Sequence, residues 1–597
     1  MNSLFIEKKY SDKLLVAVIA FITVLVYFNS LNNEFLSDWD DGIYIINNPD
    51  IKPSPDNHLI KSAFTKFYNG HYHPLTTISY GIDYKLFGLE AKPFHGFNLV
   101  FHLLAALLVF VFIKLLSSDS MIAFITSLLF AVHPMHVESV EWISDRKDLL
   151  CTMYFVGAMC TYILYIKKGG AKLYVFTFLL FIAALLSKAM AVTLPFALLL
   201  LDYYKDRKFS QKVIIEKIPF FILSVIFGYI SVLSQKSNDA LGSIDALSVA
   251  DRLAFSGYSL AMYIVKLVWF KGLSAFYNYP LLENGKYPMK YYVIPVLLLV
   301  LGWLLFKMKK QRKLVVFSFG FFLVTIALVL QFVPAGSALM ADRYTYLPYI
   351  GLLFFMAVMA KQFLANTRTR NFISGALVIY IITCCYVSFE RTKVWHDSMV
   401  LWNNAIQNHP DGALPYNNRG CLFSSANDTE RALLDLNKAI RLRPNYVAAY
   451  FNRALVYNKT KRYKEAIEDL SFVLENKPRD IVSVYMERGI AYFNTGNFKA
   501  SYEDLTEALK RNPNIPAAYF YRGMAFYSTG QFPKAIQELS YLIDHDPKYP
   551  KAFYIRALSF YALKDFPNAY NDAITAKKMN YPVKEQFLQN LVAKLKP

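Results

Sequence analysis

Up to about residue 390 the chain alternates between long apolar runs and short polar breaks. The runs lie near 13–30, 96–116, 119–133, 149–166, 173–187, 190–204, 217–234, 254–270, 291–306, 314–333, 345–363 and 372–389. A helix needs about 20 residues to cross a bilayer, so the pattern predicts a polytopic transmembrane bundle with several short helices. Four breaks are strongly basic: "KKGGAK" (167–172), "KDRKFSQK" (205–212), "KMKKQRK" (307–313) and "RTR" (368–370). Such clusters mark cytoplasmic loops. With the N-terminus inside, residues 31–93 face outward. Keeping 205–212 and 307–313 on one side requires an even number of crossings between them, yet three runs lie there. The run 254–270 contains Lys266 and is flanked by Asp251 and Arg252, and is read as re-entrant or interfacial. About eleven helices then cross. A domain over 1–392 follows, with outward loops near 31–93, 133–148, 235–290 and 334–344, and everything beyond about 390 lies outside.

From residue 395 the period changes. Pro410, Pro444, Pro478, Pro513 and Pro547 recur every 34 or 35 residues. Small residues keep the same beat at Gly420, Ala454, Gly489, Gly523 and Ala557, and again at Ala432, Ala466, Ser501, Ala535 and Ala569. Aromatics follow the first series by three at Phe423, Tyr457, Tyr492, Phe526 and Phe560. This is the grammar of tetratricopeptide repeats, pairs of antiparallel helices brought close by small residues and ended by proline. Residues 395–410 read as half a repeat, 413–581 as five repeats and 583–596 as a capping helix, so 395–597 is predicted to stack into a superhelix that binds a peptide or protein. The whole chain is thus expected to be all-α, with any chemistry in the membrane half.

Composition fits a membrane protein: of 597 residues, 55% are hydrophobic and 18% charged. The net charge of +20 would otherwise suggest nucleic acid, but much of the excess sits in the loop clusters, so no nucleic-acid partner is expected. The five cysteines form no CxxC and no disulfide framework. Glu7, Lys8, Lys9 and Lys13 precede the first run without an A-x-A-like site, which reads as a retained helix rather than a removed signal.

Candidate chemistry gathers in the outward loops. "EFLSDWDDGIYIINNPDI" packs Asp38, Asp40 and Asp41 around Trp39. Three aspartates at mid-membrane would cost roughly 8–10 kcal/mol, so they lie in water or face a polar cavity. Adjacent carboxylates repel, which raises the pKa of one of them unless a cation or donor compensates and suits a general base or a metal site; the alternative is a plain Asp-rich loop start. "HPMHVESVEWISDRKD" (133–148) offers His133, His136, Glu138, Glu141, Asp145, Arg146, Lys147 and Asp148. It reads as the polar wall of a cavity, as a metal site that Pro134 disfavours, or as a plain loop. Lys188 in "LLSKAMAVTLP" stands on the outer side against the positive-inside trend, as an anion ligand or a snorkelling lysine. "ALMADRYTYLP" (338–348) places Arg343, a planar fork suited to phosphate, beside Asp342, Tyr344 and Tyr346; the alternative is a surface ion pair. His71, His73, Asp83, His95, Asn98 and His102 surround the re-entry of the chain, most simply as interfacial polarity. Carboxylates and cations on one membrane face suit an amphiphile with a phosphate head.

The motifs "WDDGIYIINNPDI", "HPLTTISYGIDYKLFGL", "FHGFNLVFHLLAALLVF", "HPMHVESVEWISDRKDLL", "LLSKAMAVTLPFALLLLDYY", "GLSAFYNYP" and "ADRYTYLPYIGL", followed by the repeats, resemble the transmembrane and TPR-repeat-containing (TMTC) family over nearly the whole chain and in the same order. The chain departs from that pattern with His73 where an arginine is expected and Ala189 where a proline is expected. The resemblance, to a bacterial-type member, implies a GT-C glycosyltransferase fold and protein O-mannosyltransferase-like activity. It implies a polyprenyl-phosphate sugar donor, a protein or glycan hydroxyl acceptor, inversion at the sugar, and residence in the bacterial inner membrane with the repeats periplasmic. It also implies roles. Asp41 is the base, with Asp40 orienting it or the two holding a divalent cation. The donor- and substrate-binding set is Arg343, Tyr344, Lys188, Arg146, His136, Glu138, His133 and His73. The competing expectations are a non-catalytic, membrane-anchored repeat scaffold for envelope assembly, and a transporter or polymerase subunit for lipid-linked sugars.

Overall fold

The computed structural model describes residues 11–52, 58–208, 210–237, 247–283, 285–330, 332 and 338–595. Glu7, Lys8 and Lys9, and the parts of the predicted outward loops at 53–57, 238–246 and 334–337, lie outside the described residues, as does the last residue of the predicted capping helix. The chain divides into two compact units, Met1–Gly412 and Ala413–Pro597.

Among the described residues of the first unit, six helices are long and apolar enough to cross a membrane: Asp12–Asn32, Ala91–Ser117, Ile143–Lys168, Gln211–Lys236, Lys309–Val329 and Arg370–Val394. Ser120–Val132 and Pro134–Glu141 qualify as a pair bent by 53°, broken where Pro134 removes a backbone donor. Four shorter apolar helices are Ala171–Leu185, Ala189–Tyr204, Lys290–Phe306 and Tyr349–Leu364. The six, the bent pair and the four correspond to the eleven runs read as crossing. Val249–Lys266, with its three charges at Asp251, Arg252 and Lys266, is not among them.

The bundle is arranged for lipid outside and polarity within. Ala91–Ser117 buries His95, Asn98 and His102, spaced three and four apart on one face, while Val100, Leu104 and Val111 on other faces are exposed. Exposed apolar stripes on Arg370–Val394 (Phe372, Ile379, Ile382) and on Lys290–Phe306 (Val296, Leu297, Val300) have the same logic. Ranges such as Ser120–Val132 start where the sequence supplies a cap: Asp119 accepts from the backbone N–H groups of Met121 and Ile122. Among the described residues the sheet content is one short ladder, Tyr277–Asn278 against Ala338–Met340. It joins the "FYNYP" segment to the start of "ADRY". Ser398–Asn408, in the segment read as half a repeat, belongs to this first unit.

The second unit runs as helix pairs from Ala413–Ser425 to Phe566–Lys578, closed by Glu585–Leu595. The small residues do what their period requires. A Cβ on Gly420, Gly489 or Gly523 would fall within 2.9 Å of Leu436, Leu505 or Leu539 on the partner helix. The arginine just before each small residue pairs with a carboxylate sixteen residues on: Arg419–Asp435, Arg453–Asp469, Arg488–Asp504, Arg522–Glu538 and Arg556–Asp572. Four of these guanidinium groups also donate through Nη1 to the preceding pair, at Asn437, Ser471, Thr506 and Ser540. One ladder thus ties each pair internally and to its neighbour.

Candidate active site around Asp40

The three aspartates of the "DWDD" segment have three different fates. Asp38 accepts from Ser398 Oγ and Trp402 Nε1, anchoring the helix Ser398–Asn408. Asp41 is 1% exposed. Its Oδ2 accepts the Leu36 N–H at 3.0 Å, and its Oδ1 accepts the Ser144 N–H at 2.9 Å and the Ser144 hydroxyl. Burial pushes its carboxyl up to about 6 against the pull of those donors. Asp41 therefore staples its own turn to the loop that follows the helix Val137–Glu141. Gly42 makes that turn possible, because a Cβ there would sit 2.2 Å from the Ser37 carbonyl oxygen. Trp39 fixes the segment from the other side, stacked on Trp142 at 4.1 Å and tilted against Trp402 at 5.0 Å.

Asp40 remains. It is half-buried, and among the described residues it accepts one long hydrogen bond, 3.5 Å from Asn69 Nδ2. Asn69 (φ 47°) and Gly70 (φ 76°) form the two-residue turn between Tyr68 and His71, a conformation Asn-Gly adopts readily. Burial raises the Asp40 carboxyl above the ordinary carboxylate range, opposed by Lys147 and Arg343 and reinforced by Asp145. It is a carboxylate made more basic and left available.

Lys147 and Arg343 act on the Asp40 charge, and both act with Lys188 on Asp145. Glu138 grips Arg343 twice, accepting its backbone N–H at 3.1 Å and its Nη1. The guanidinium lies 5.1 Å from the Trp142 ring and 4.9 Å from that of Tyr344, so its direction is fixed. The neighbouring Asp342 is spent on the scaffold, accepting from Tyr277 OH at 2.6 Å and Arg391 Nη2 at 2.9 Å. Lys188 pairs with Asp148. Lys147 Nζ donates to the Ser144 carbonyl at 3.1 Å and stands 3.6 Å from Asp145 Oδ1, with the Tyr44 and Trp142 rings at 5.5 and 5.4 Å. Asp145 is fully buried, yet neither of its carboxylate oxygens accepts a hydrogen bond among the described residues. Such a group ordinarily has a partner.

Other residues singled out in the sequence are committed elsewhere. Arg146, expected to contact the donor, is enclosed. It pairs with Asp83 at 2.5 Å, donates to Asn98 Oδ1 at 2.7 Å and to the Phe94 carbonyl at 3.0 Å, and lies 5.0 Å from the Tyr80 ring. His133 bonds the Leu267 carbonyl at 3.1 Å, and His136 bonds the Phe130 carbonyl at 2.8 Å; both are fully buried. They close the backbone at the Pro134 bend. His73 is buried beside Thr77 and the Tyr44 ring, and burial lowers its imidazole to about 3. It is neutral at physiological pH and cannot replace the expected arginine as a cation. Glu141 accepts from Ser30 and Asn33 and ties down the end of the first helix.

Lys147 and Asp145 are named in the 133–148 stretch but left out of the expected donor- and substrate-binding set. Their signal was their place in "SDRKD", where Arg146 drew attention by its chemistry. A divalent cation held by Asp40 and Asp41 does not fit this donor set. Both Asp41 oxygens are occupied by N–H and O–H donors, and no group of three or more metal-ligating side chains assembles among the described residues.

Comparison with known proteins agrees with this organisation. Tetratricopeptide repeat models match residues 486–550 and 527–578, 422–461 and 447–480. The chain is 23% identical over 434 residues to "Protein O-mannosyl-transferase F38B6.6" of Caenorhabditis elegans, covering 69% of this chain and 60% of that protein. It is 23% identical over 480 residues to human "Protein O-mannosyl-transferase TMTC3", covering 70% of this chain and 50% of that one. A shorter stretch of 164 residues is 34% identical to mouse "Protein O-mannosyl-transferase TMTC1", covering 26% of this chain and 17% of that protein. The chain thus spans about half the length, or less, of most of the curated relatives it matches. Among solved structures, YrrB, "a TPR protein with an unusual peptide-binding site", is 25% identical with a TM-score of 0.29, covering 32% of this chain and 98% of YrrB. The named relatives and the repeat models together support placing this membrane protein in a TMTC-like family with a C-terminal tetratricopeptide region.

Proposed function

We propose that the chain is a GT-C-type membrane glycosyltransferase that moves mannose from a polyprenyl-phosphate donor to a hydroxyl of a protein acceptor on the outer face. Asp40 is the base. The acceptor O–H gives its proton to the Asp40 carboxylate as its oxygen bonds the anomeric carbon. The bond from that carbon to the phosphate oxygen breaks on the opposite side, so the configuration inverts. Lys147, Lys188 and Arg343 hold the phosphate and balance the charge that grows on the leaving oxygen. Asp145, whose negative charge Lys188 and Lys147 favour, receives hydroxyls of the sugar.

The observation that carries this reading is the contrast within one motif. Asp38 and Asp41 are saturated by structural donors, whereas Asp40 is open beside Lys147 and Arg343. A carboxylate made more basic by burial suits abstraction of a hydroxyl proton. The names of the relatives support the class of reaction and the sugar. The repeats present the acceptor. The proposed membrane is the bacterial inner membrane with the repeats periplasmic, a side that an odd number of crossings from an inside N-terminus would favour. The test is transfer of radiolabelled mannose from polyprenyl-phosphate mannose to periplasmic protein by the purified full-length chain. Transfer by wild type and its loss in Asp40→Asn is expected; transfer unchanged in Asp40→Asn, or absent from wild type, overturns the reading.

A further inference from the structure

A second site lies far along the chain from this motif, at the start of the helix Arg312–Ile326. A groove of about 640 Å³ is lined there by Lys309, Lys310, Arg312 and Lys313, with Tyr203 and Tyr204 on its other wall, and no acidic side chain lines it. Among the described residues Lys309, Lys310 and Arg312 form no ion pair, and Lys313 pairs outside the lining with the exposed Asp206. The positive-inside trend accounts for basic residues in this break. It does not account for their convergence with two tyrosines on one concavity.

The helix itself adds a second argument. Its N-terminus has no side-chain cap and no acidic residue in its first turn, which holds Arg312 and Lys313 instead. That is the reverse of what the helix dipole favours. Gln311, at the capping position, sends its side chain to Gln362 instead, at 2.8 Å. The local charge therefore favours an anion. Apolar surface adjoins the groove: Arg312 lies 5.1 Å from the Phe306 ring, and Phe306 and Trp303 are exposed.

We propose that this groove binds the phosphate headgroup of an anionic membrane lipid, with the acyl chains along the exposed Lys290–Phe306 face. Basic pockets of this kind between membrane helices suit such headgroups. The test is native mass spectrometry of the full-length chain with phosphatidylglycerol, phosphatidylcholine or inorganic phosphate. Lys309→Gln/Lys310→Gln/Arg312→Gln is compared with a control triple, Lys167→Gln/Lys168→Gln/Lys172→Gln, in another basic break. We expect wild type and the control to retain phosphatidylglycerol over phosphatidylcholine, and the groove triple to bind it about 100-fold more weakly. Equal loss in the control, equal retention of phosphatidylcholine, or displacement of the lipid by inorganic phosphate overturns the proposal. Should the triple not fold, a photoreactive residue at Tyr203 in otherwise native chain is decisive. Adducts enriched in phosphatidylglycerol support the site, and adducts in proportion to bulk lipid refute it.

Discussion

Replacing Asp40 and Asp41 one at a time separates a reacting carboxylate from a structural one. Asp40→Asn keeps shape and removes only charge and basicity. Asp40 is half-buried and accepts a single 3.5 Å bond among the described residues, so the fold should change by no more than about 0.5 kcal/mol. Loss of a positioned base costs about 10²–10⁴ in rate, or about 2.7–5.4 kcal/mol of barrier. Asp41→Asn acts differently. One acceptor is lost, leaving the Leu36 N–H short of a partner at a cost of about 1–3 kcal/mol. Against that, a buried charge disappears. With the carboxyl at about 6 and an unfolded value near 3.9, ionisation costs roughly 3 kcal/mol at neutral pH. The two effects oppose, so at pH 7 the variant should stay folded and keep its rate within about tenfold of wild type. The assay is initial-rate mannosyl transfer by purified protein in nanodiscs, with thermal melting on the same samples. A 100-fold loss in Asp41→Asn at unchanged melting, with Asp40→Asn near wild type, would refute the assignment.

Other consequences are equally concrete. Asp41 ionises above its unfolded value, so the folded state binds its proton more tightly. Unfolding free energy should fall as pH rises from about 4 to about 6, and Asp41→Asn should flatten that limb of a pH–melting profile. Because Asp40 is raised, transfer should decline on acidification with a midpoint above the usual carboxylate value, read from a kcat–pH profile. Lys147→Ala should lower kcat at least tenfold and also lower the melting temperature, since it removes a cation from fully buried Asp145. Arg146→Ala, by contrast, should abolish folded protein, stranding Asp83 and costing about 3–5 kcal/mol, as seen by size-exclusion yield. Arg488→Ala should cost about 2–3 kcal/mol in the repeat unit by thermal melting, leaving transfer to a soluble small acceptor intact.

Much of the fold was legible because the signals are periodic and local. Apolar runs between basic breaks gave the membrane helices, and charge within 254–270 set that segment apart from them. A 34-residue beat of small residues and prolines gave the repeats. The arginine–carboxylate ladder was missed because sixteen residues separate partners on two antiparallel helices, a spacing that no single-helix periodicity reveals. The site was half legible. Composition and order directed attention to "DWDD", "SDRKD" and "DRY". Which member of each motif faces the opening depends on the turn of the backbone: neighbours on a helix point about 100° apart. Arg146 turns inward to Asp83 while Lys147 turns toward Asp40's side. Asp41, expected to be the base, and Asp342, beside Arg343, are held by Ser144 and by Tyr277 and Arg391 from distant parts of the chain, which no local pattern reveals.

The central claim is that this chain glycosylates protein hydroxyls through Asp40. The most direct measurement is quantitative glycopeptide mass spectrometry of envelope proteins from cells lacking the chain, complemented with wild type or Asp40→Asn. We predict hexose-bearing Ser and Thr peptides that vanish on deletion, return with wild type and stay absent with Asp40→Asn at equal protein level. An identical set of glycopeptides in all three strains would contradict it.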